Sequence, residues 1–105
     1  MSKQMRVAVI GAGTMGHALA LVFAMGGHQV RLTDASAETL ARAQTLMEKA
    51  LATLEEVGEA PKGWGSAQLA QACTRHARLE DCVEGAELIV EAIVENLDVK
   101  RKDVV

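Results

Sequence analysis

The chain has 105 residues with 11 basic against 14 acidic side chains, a formal charge of −3. That is the length of one small domain rather than of a multidomain enzyme, and without an excess of positive charge nucleic acid is not expected as a partner. Hydrophobic residues make up 50% of the chain but aromatic ones only 2%, Phe23 and Trp64, against eighteen alanines. Small apolar side chains suit helices packed closely on a sheet, not an aromatic-rich β-sandwich.

Residues 5–10 form an apolar, β-branched run that stops at glycine, the pattern of a strand buried on both faces. Residues 14–25 are apolar or small on nearly every side and are followed by Gly26-Gly27, which predicts a helix lying against a sheet. A second strand covers residues 28–33 and ends at Asp34. Ser36 then caps a long helix in which Leu40, Ala43, Met47, Ala50, Leu54 and Val57 recur at steps of three and four. Gly58 and Pro61 end it. Residues 58–65, GEAPKGWG, are an excursion that Trp64 packs onto the domain, and Ser66 restarts a short helix to about Cys73. A weak strand is expected at residues 76–79, a turn or single helical turn at 80–86, a strongly apolar strand at 87–94 and a helix from Leu97 onward. This order predicts an α/β fold, a parallel sheet with helices on both faces. With only a helix expected beyond it, the strand at 87–94 would present an open edge, which predicts self-pairing or fraying.

Cys73 and Cys82 stand too far apart for a C-x-x-C redox or zinc pair, so both are read as inert thiols in a reducing, cytoplasmic setting. The N-terminus lacks a signal-peptide pattern, and no run approaches eighteen apolar residues, so neither secretion nor a membrane is expected.

Gly11-Ala12-Gly13-Thr14-Met15-Gly16 is G-x-G-x-x-G between a predicted strand and a predicted helix. In that context Gly11 permits the tight turn, Gly13 lets backbone approach a pyrophosphate, and Gly16 allows close helix–strand packing. The phosphates would sit at the helix N-terminus. Asp34 lies near the spacing of a carboxylate that accepts both hydroxyls of an adenosine ribose, which favours NAD over NADP, although Arg31 and Arg42 are nearby in sequence. Asp34 also reads as a cap of the next helix, a task open to Ser36 as well. In the doubly wound order 3-2-1-4, Glu95 stands at the crevice opposite the glycine loop, with Lys100 in the next helix. The two could bind a ligand or simply pair with each other.

VAVIGAGTMGHALALVFAMGGHQVRLTDAS and VEGAELIVEAIVENLDVKRK together make the chain resemble the NAD-binding, Rossmann-type domain of the 3-hydroxyacyl-CoA dehydrogenase family. The second segment, E-A-I-V-E-N-L-x-V-K, is the more specific. The resemblance implies a cofactor-binding set of Gly11, Ala12, Gly13, Thr14, Met15, Gly16, Asp34, Ala92, Glu95 and Lys100, the last two toward the nicotinamide half. It implies a homo-oligomeric parent that oxidises an L-3-hydroxyacyl-CoA to the 3-ketoacyl-CoA by hydride transfer to NAD, with a His–Glu pair as general base.

Two departures stand out. Where the family's second helix offers Ser and then Lys to CoA, a gapless extension from Asp34 places Ala50 and Val57. LEEVGEAPKGWGSAQL is moreover similar to the branch containing lambda-crystallin, a relative that oxidises gulonate without CoA. The His–Glu pair and the helical substrate and dimerisation domain are expected outside this chain. Residues 1–105 are thus expected to be a partial NAD-binding domain, apparently cut after its fourth strand. It would contain no catalytic residue and no metal ligand, and would be inactive alone or serve as a nucleotide-binding module. His17, His28 and His76 are read as structural or exposed.

Overall fold

Residues 4–93 and 96–101 are described by the structure, a computed structural model. Its first strand, β1 (Arg6–Ile10), is buried on both faces at Val7, Ala8 and Val9, as a central parallel strand must be. The chain turns at Gly11 into α1 (Thr14–Met25), then enters β2 (Gln29–Thr33), which pairs parallel to β1 from Arg6↔Gln29 to Ile10↔Thr33. Ser36 caps α2 (Ala37–Glu56) by accepting from the Thr39 N–H at 3.1 Å. The buried stripe of α2 is Leu40, Ala43, Met47 and Leu51, whereas Val57 is the exposed C-cap. Trp64 packs the excursion against the core, and α3 (Ser66–Ala72) follows.

The remaining elements are β3 (Cys73–Arg75), α4 (Leu79–Val83), β4 (Leu88–Ile93) and β5 (Asn96–Arg101). They complete a sheet of order β3-β2-β1-β4-β5, in which the first four strands are parallel and β5 runs antiparallel to β4. One face carries the main core, where Val7, Val9, Val30, Leu32 and Val90 meet α1, α2 and α3. On the other face α4 packs Cys82 against Ala8, with Ala86 beside them. The sheet therefore has helices on both faces, in the doubly wound arrangement the glycine motif implies.

Three expectations are corrected. The third strand lies at Cys73–Arg75, not 76–79, because the chain passes from α3 straight into the ladder and seats Cys73 beside Val30. His76 only prolongs that ladder, its N–H donating to the Leu32 carbonyl at 2.9 Å. The segment from Leu97 is not a helix but part of β5, so the sheet does not stop at its fourth strand. Leu97 and Val99 alternate with Asp98 and Lys100, a period of two rather than 3.6, and the segment satisfies the backbone groups that β4 would otherwise expose. The open edge expected along β4 is for the same reason covered, from Leu88↔Arg101 to Ile93↔Asn96.

Both cysteines are buried, and burial pushes each thiol up to about 11 from an ordinary 9.0. The folded chain keeps these protons where the unfolded chain releases them, so stability present below pH 9 drains away as the pH rises toward 11. The urea midpoint is expected to fall across that interval, and to fall less in a Cys73→Ala/Cys82→Ala variant. Equal slopes in the two proteins would contradict the assignment.

Candidate dinucleotide-binding site

Gly11 sits at φ +104°, and a Cβ there would run into the Ala92 carbonyl of β4. A Cβ on Gly16 would strike the carbonyl of Gly11 itself. These two glycines are demanded by the fold. Gly13 is different: its φ of −71° suits any residue, and a Cβ would meet nothing within 4 Å. The fold leaves open the space that a side chain would fill, on the side where a phosphate approaches a helix N-terminus. No side chain caps α1 among the described residues, so the N–H groups of its first turn remain available to an anion.

This loop forms one wall of a cleft of about 680 Å³ at the carboxyl ends of the parallel strands. Gly11, Gly13, Thr14 and Met15 contribute from the loop and α1, Ala92 and Ile93 from the end of β4, and Asp34 and Thr39 from the β2–α2 corner. The cleft lies where the strand order reverses, between β1 and β4, the position at which open α/β sheets take ligands.

Asp34 closes the opposite end. Its Oδ2 accepts from the Ala12 N–H at 2.7 Å and its Oδ1 from the Ser36 N–H at 2.8 Å. Ser36, not Asp34, caps α2, so the capping reading of this carboxylate does not hold. An ionised carboxylate has about four lone-pair sites. Among the described residues two are taken, which leaves two able to accept from a ligand. The nearby arginines are engaged elsewhere: Arg31 donates to the Asp81 and Glu84 carbonyls at 2.7 and 3.2 Å, and Arg42 pairs with Glu38 at 2.8 Å. The residues present therefore fit an adenosine diphosphate whose ribose carries free hydroxyls better than one carrying a 2′-phosphate.

Of the expected set, Gly11, Gly13, Thr14, Met15, Asp34 and Ala92 line this cleft, while Ala12 and Gly16 are buried behind it. Glu95 lies outside the described residues. Lys100 falls on β5 with its backbone opposite Ile89, four strand residues back from Ile93, or about 13 Å, so it is not brought to the cleft by its place in the sheet. The histidines serve the scaffold: His17 Nδ1 bonds the Gly13 carbonyl at 2.8 Å, the Met5 N–H donates to His28 Nδ1 at 3.0 Å, and His76 Nε2 meets Thr74 Oγ1 at 2.8 Å. Thr39 was not singled out by the sequence. Its signal was its place at the third residue of a helix capped by Ser36, one turn beyond Asp34.

The family model for the NAD-binding domain of 3-hydroxyacyl-CoA dehydrogenase matches residues 6–104. A lambda-crystallin homolog of Rattus norvegicus is 33% identical over 96 residues, covering 91% of this chain and 30% of its own length. A probable 3-hydroxyacyl-CoA dehydrogenase of Caenorhabditis elegans is 32% identical over 106 residues, covering 97% of this chain and 34% of its own. Among solved structures, the 3-hydroxybutyryl-CoA dehydrogenase of Escherichia coli K12 superposes with a TM-score of 0.73 at 30% identity, covering 91% of this chain and 20% of that one. The chain thus spans about a third or less of the proteins it resembles.

Proposed function

Since the chain belongs to the 3-hydroxyacyl-CoA dehydrogenase family as its NAD-binding domain, we propose that it holds NAD across the cleft while a 3-hydroxyacyl-CoA is oxidised at its 3-hydroxyl. The observation that carries this reading is Gly13, bare of a side chain where the fold does not require it, at an uncapped helix N-terminus facing Asp34. In the proposed arrangement the first-turn amides of α1 take the pyrophosphate and the remaining lone pairs of Asp34 take the ribose hydroxyls. Ala92 closes the floor beside Gly11. NAD, when bound, supplies the carbon that accepts the hydride, and the protein supplies orientation. For Glu95 and Lys100, a role toward the nicotinamide half rests on the family resemblance alone.

In this reading the proton-abstracting pair, the substrate-binding surface and the contacts of a homo-oligomer come from the rest of a longer protein, with residues 1–105 as its nucleotide-binding part. The setting proposed is the cytoplasm; among the described residues no helix is long and apolar enough to cross a membrane. A second reading, a free hydroxy-acid dehydrogenase of the gulonate type, draws on α2. Where the family offers polar groups to CoA, this helix presents Ala50, half-packed into the core, and Val57, exposed and apolar. The full-length protein assayed for NADH formation separates the two. Turnover of 3-hydroxybutyryl-CoA is expected; turnover of L-gulonate alone would move the protein to the second reading, and turnover of neither would refute both. Residues 1–105 by themselves are expected to bind NAD without turnover, since a missing general base alone costs about 10²- to 10⁴-fold.

A further inference from the structure

The carboxylate expected to read the ribose also has work within the fold itself. Asp34 Oδ2 takes the N–H of Ala12, the second residue of the glycine loop, across 22 positions of sequence, while Oδ1 takes the Ser36 N–H. Among the described residues the loop has few other ties. Within that set, Gly11 is held by its N–H to the Thr33 carbonyl at 2.8 Å, and Gly13 through its carbonyl, which accepts from the His17 N–H at 3.0 Å and meets His17 Nδ1 at 2.8 Å. Between these two anchors, the bond at Ala12 joins the β1–α1 turn to the β2–α2 turn. The Ala12 side chain is fully buried, so its amide cannot turn to water without moving the loop.

We propose that Asp34 is a positioning residue for the pyrophosphate subsite as well as the acceptor for the ribose, acting through the Ala12 N–H to hold the glycine loop in its phosphate-ready form. The inference rests on the NAD reading above and goes beyond it in one respect. It places the phosphate-binding geometry under the control of a side chain that does not touch phosphate. Because Ala12 spends its N–H on Asp34, the amides that remain for phosphate are those that follow it. It also follows that removing Asp34 to admit NADP would fail, since the variant would lose the loop along with the charge.

The signs of the competing effects make this testable. A probe lacking ribose hydroxyls, 2′,3′-dideoxy-ADP, cannot sense a missing ribose acceptor. If Asp34 only read the ribose, Asp34→Ala would leave the affinity for this probe unchanged, or raise it by removing a negative charge near the phosphates. If Asp34 positions the loop, affinity falls, on the order of tenfold for one lost charge-assisted bond. Asp34→Asn removes the same charge but keeps one acceptor oxygen where the carboxylate serves two donors, the N–H groups of Ala12 and Ser36, so it should recover only part of the dideoxy-probe affinity that Asp34→Ala loses, while NAD stays weakened.

Calorimetry on the wild-type chain and both variants, with NAD and with the dideoxy probe, gives these values. In the wild-type chain alone, the Ala12 amide should exchange with solvent as slowly as that of Gly11. An Asp34→Ala variant that binds the dideoxy probe as well as wild type would overturn the inference and leave the NAD reading intact. So would an Ala12 amide exchanging as fast as that of Thr14, even if Asp34→Ala does not fold. Failure of the wild-type chain to bind NAD would overturn both.

Discussion

Gly16→Ala is expected to unfold much of the domain's stability margin. A Cβ at this position collides with the carbonyl of Gly11, a backbone group that no rotamer change can move aside. Relief requires α1 to lift from the end of β1, opening the core that Ala20, Leu21 and Ala24 form with Val9 and Val90. Overpacking against a rigid neighbour costs about 3 kcal/mol or more, which in a domain this small lowers the thermal midpoint by roughly 10–20 °C. Circular dichroism during heating measures it. A midpoint within about 2 °C of wild type, under half a kcal/mol, would mean that α1 and the loop have slack that this structure denies them.

Gly13→Ala is expected to do the reverse, leaving the fold and removing the ligand. The new Cβ meets nothing within 4 Å, and φ −71° is open to alanine, so the stability change should stay near 1 kcal/mol, the usual cost of a poorer helix N-cap. That Cβ would stand in the space through which the loop backbone reaches the phosphates. Loss of one or two charge-assisted contacts there weakens NAD binding by about ten- to a hundredfold. Two glycines three positions apart are thus predicted to fail in opposite ways, one in melting and one in titration. Undiminished NAD affinity in Gly13→Ala would show that the pyrophosphate does not lie against this residue.

The parts of this fold legible from sequence were those in which a local rule and a long-range demand agree. β1, α1, the cap at Ser36 and the buried stripe of α2 carry their own periodicity and punctuation, and the sequence alone predicts α1 at residues 14–25, its observed bounds. β3 is not legible in sequence because three residues are too few to show a period. Its position is set by Val30 and Leu32, the neighbours it pairs with, which nothing local announces. β5 is ambiguous in sequence because a lysine and an aspartate suit a helix as readily as an edge strand; the alternation of Leu97 and Val99 is the weaker signal and the decisive one. In the site, the glycine loop and Asp34 are legible because each directly follows a strand whose end the sequence marks, β1 and β2, and both line the cleft. The bond from Ala12 to Asp34 is not, since two residues 22 apart share it only after the strands pair in register.

The central claim is that this cleft is shaped for a dinucleotide with an unphosphorylated adenosine ribose, and titration calorimetry of the wild-type chain with NAD and with NADP tests it most directly. Asp34 faces the cleft as an acceptor, while Arg31 and Arg42 are engaged away from it. NAD is therefore expected to bind more tightly than NADP by on the order of tenfold or more, the scale of one charged group accepting hydrogen bonds in one case and repelling a phosphate in the other. Equal affinities, or tighter binding of NADP, would contradict the account.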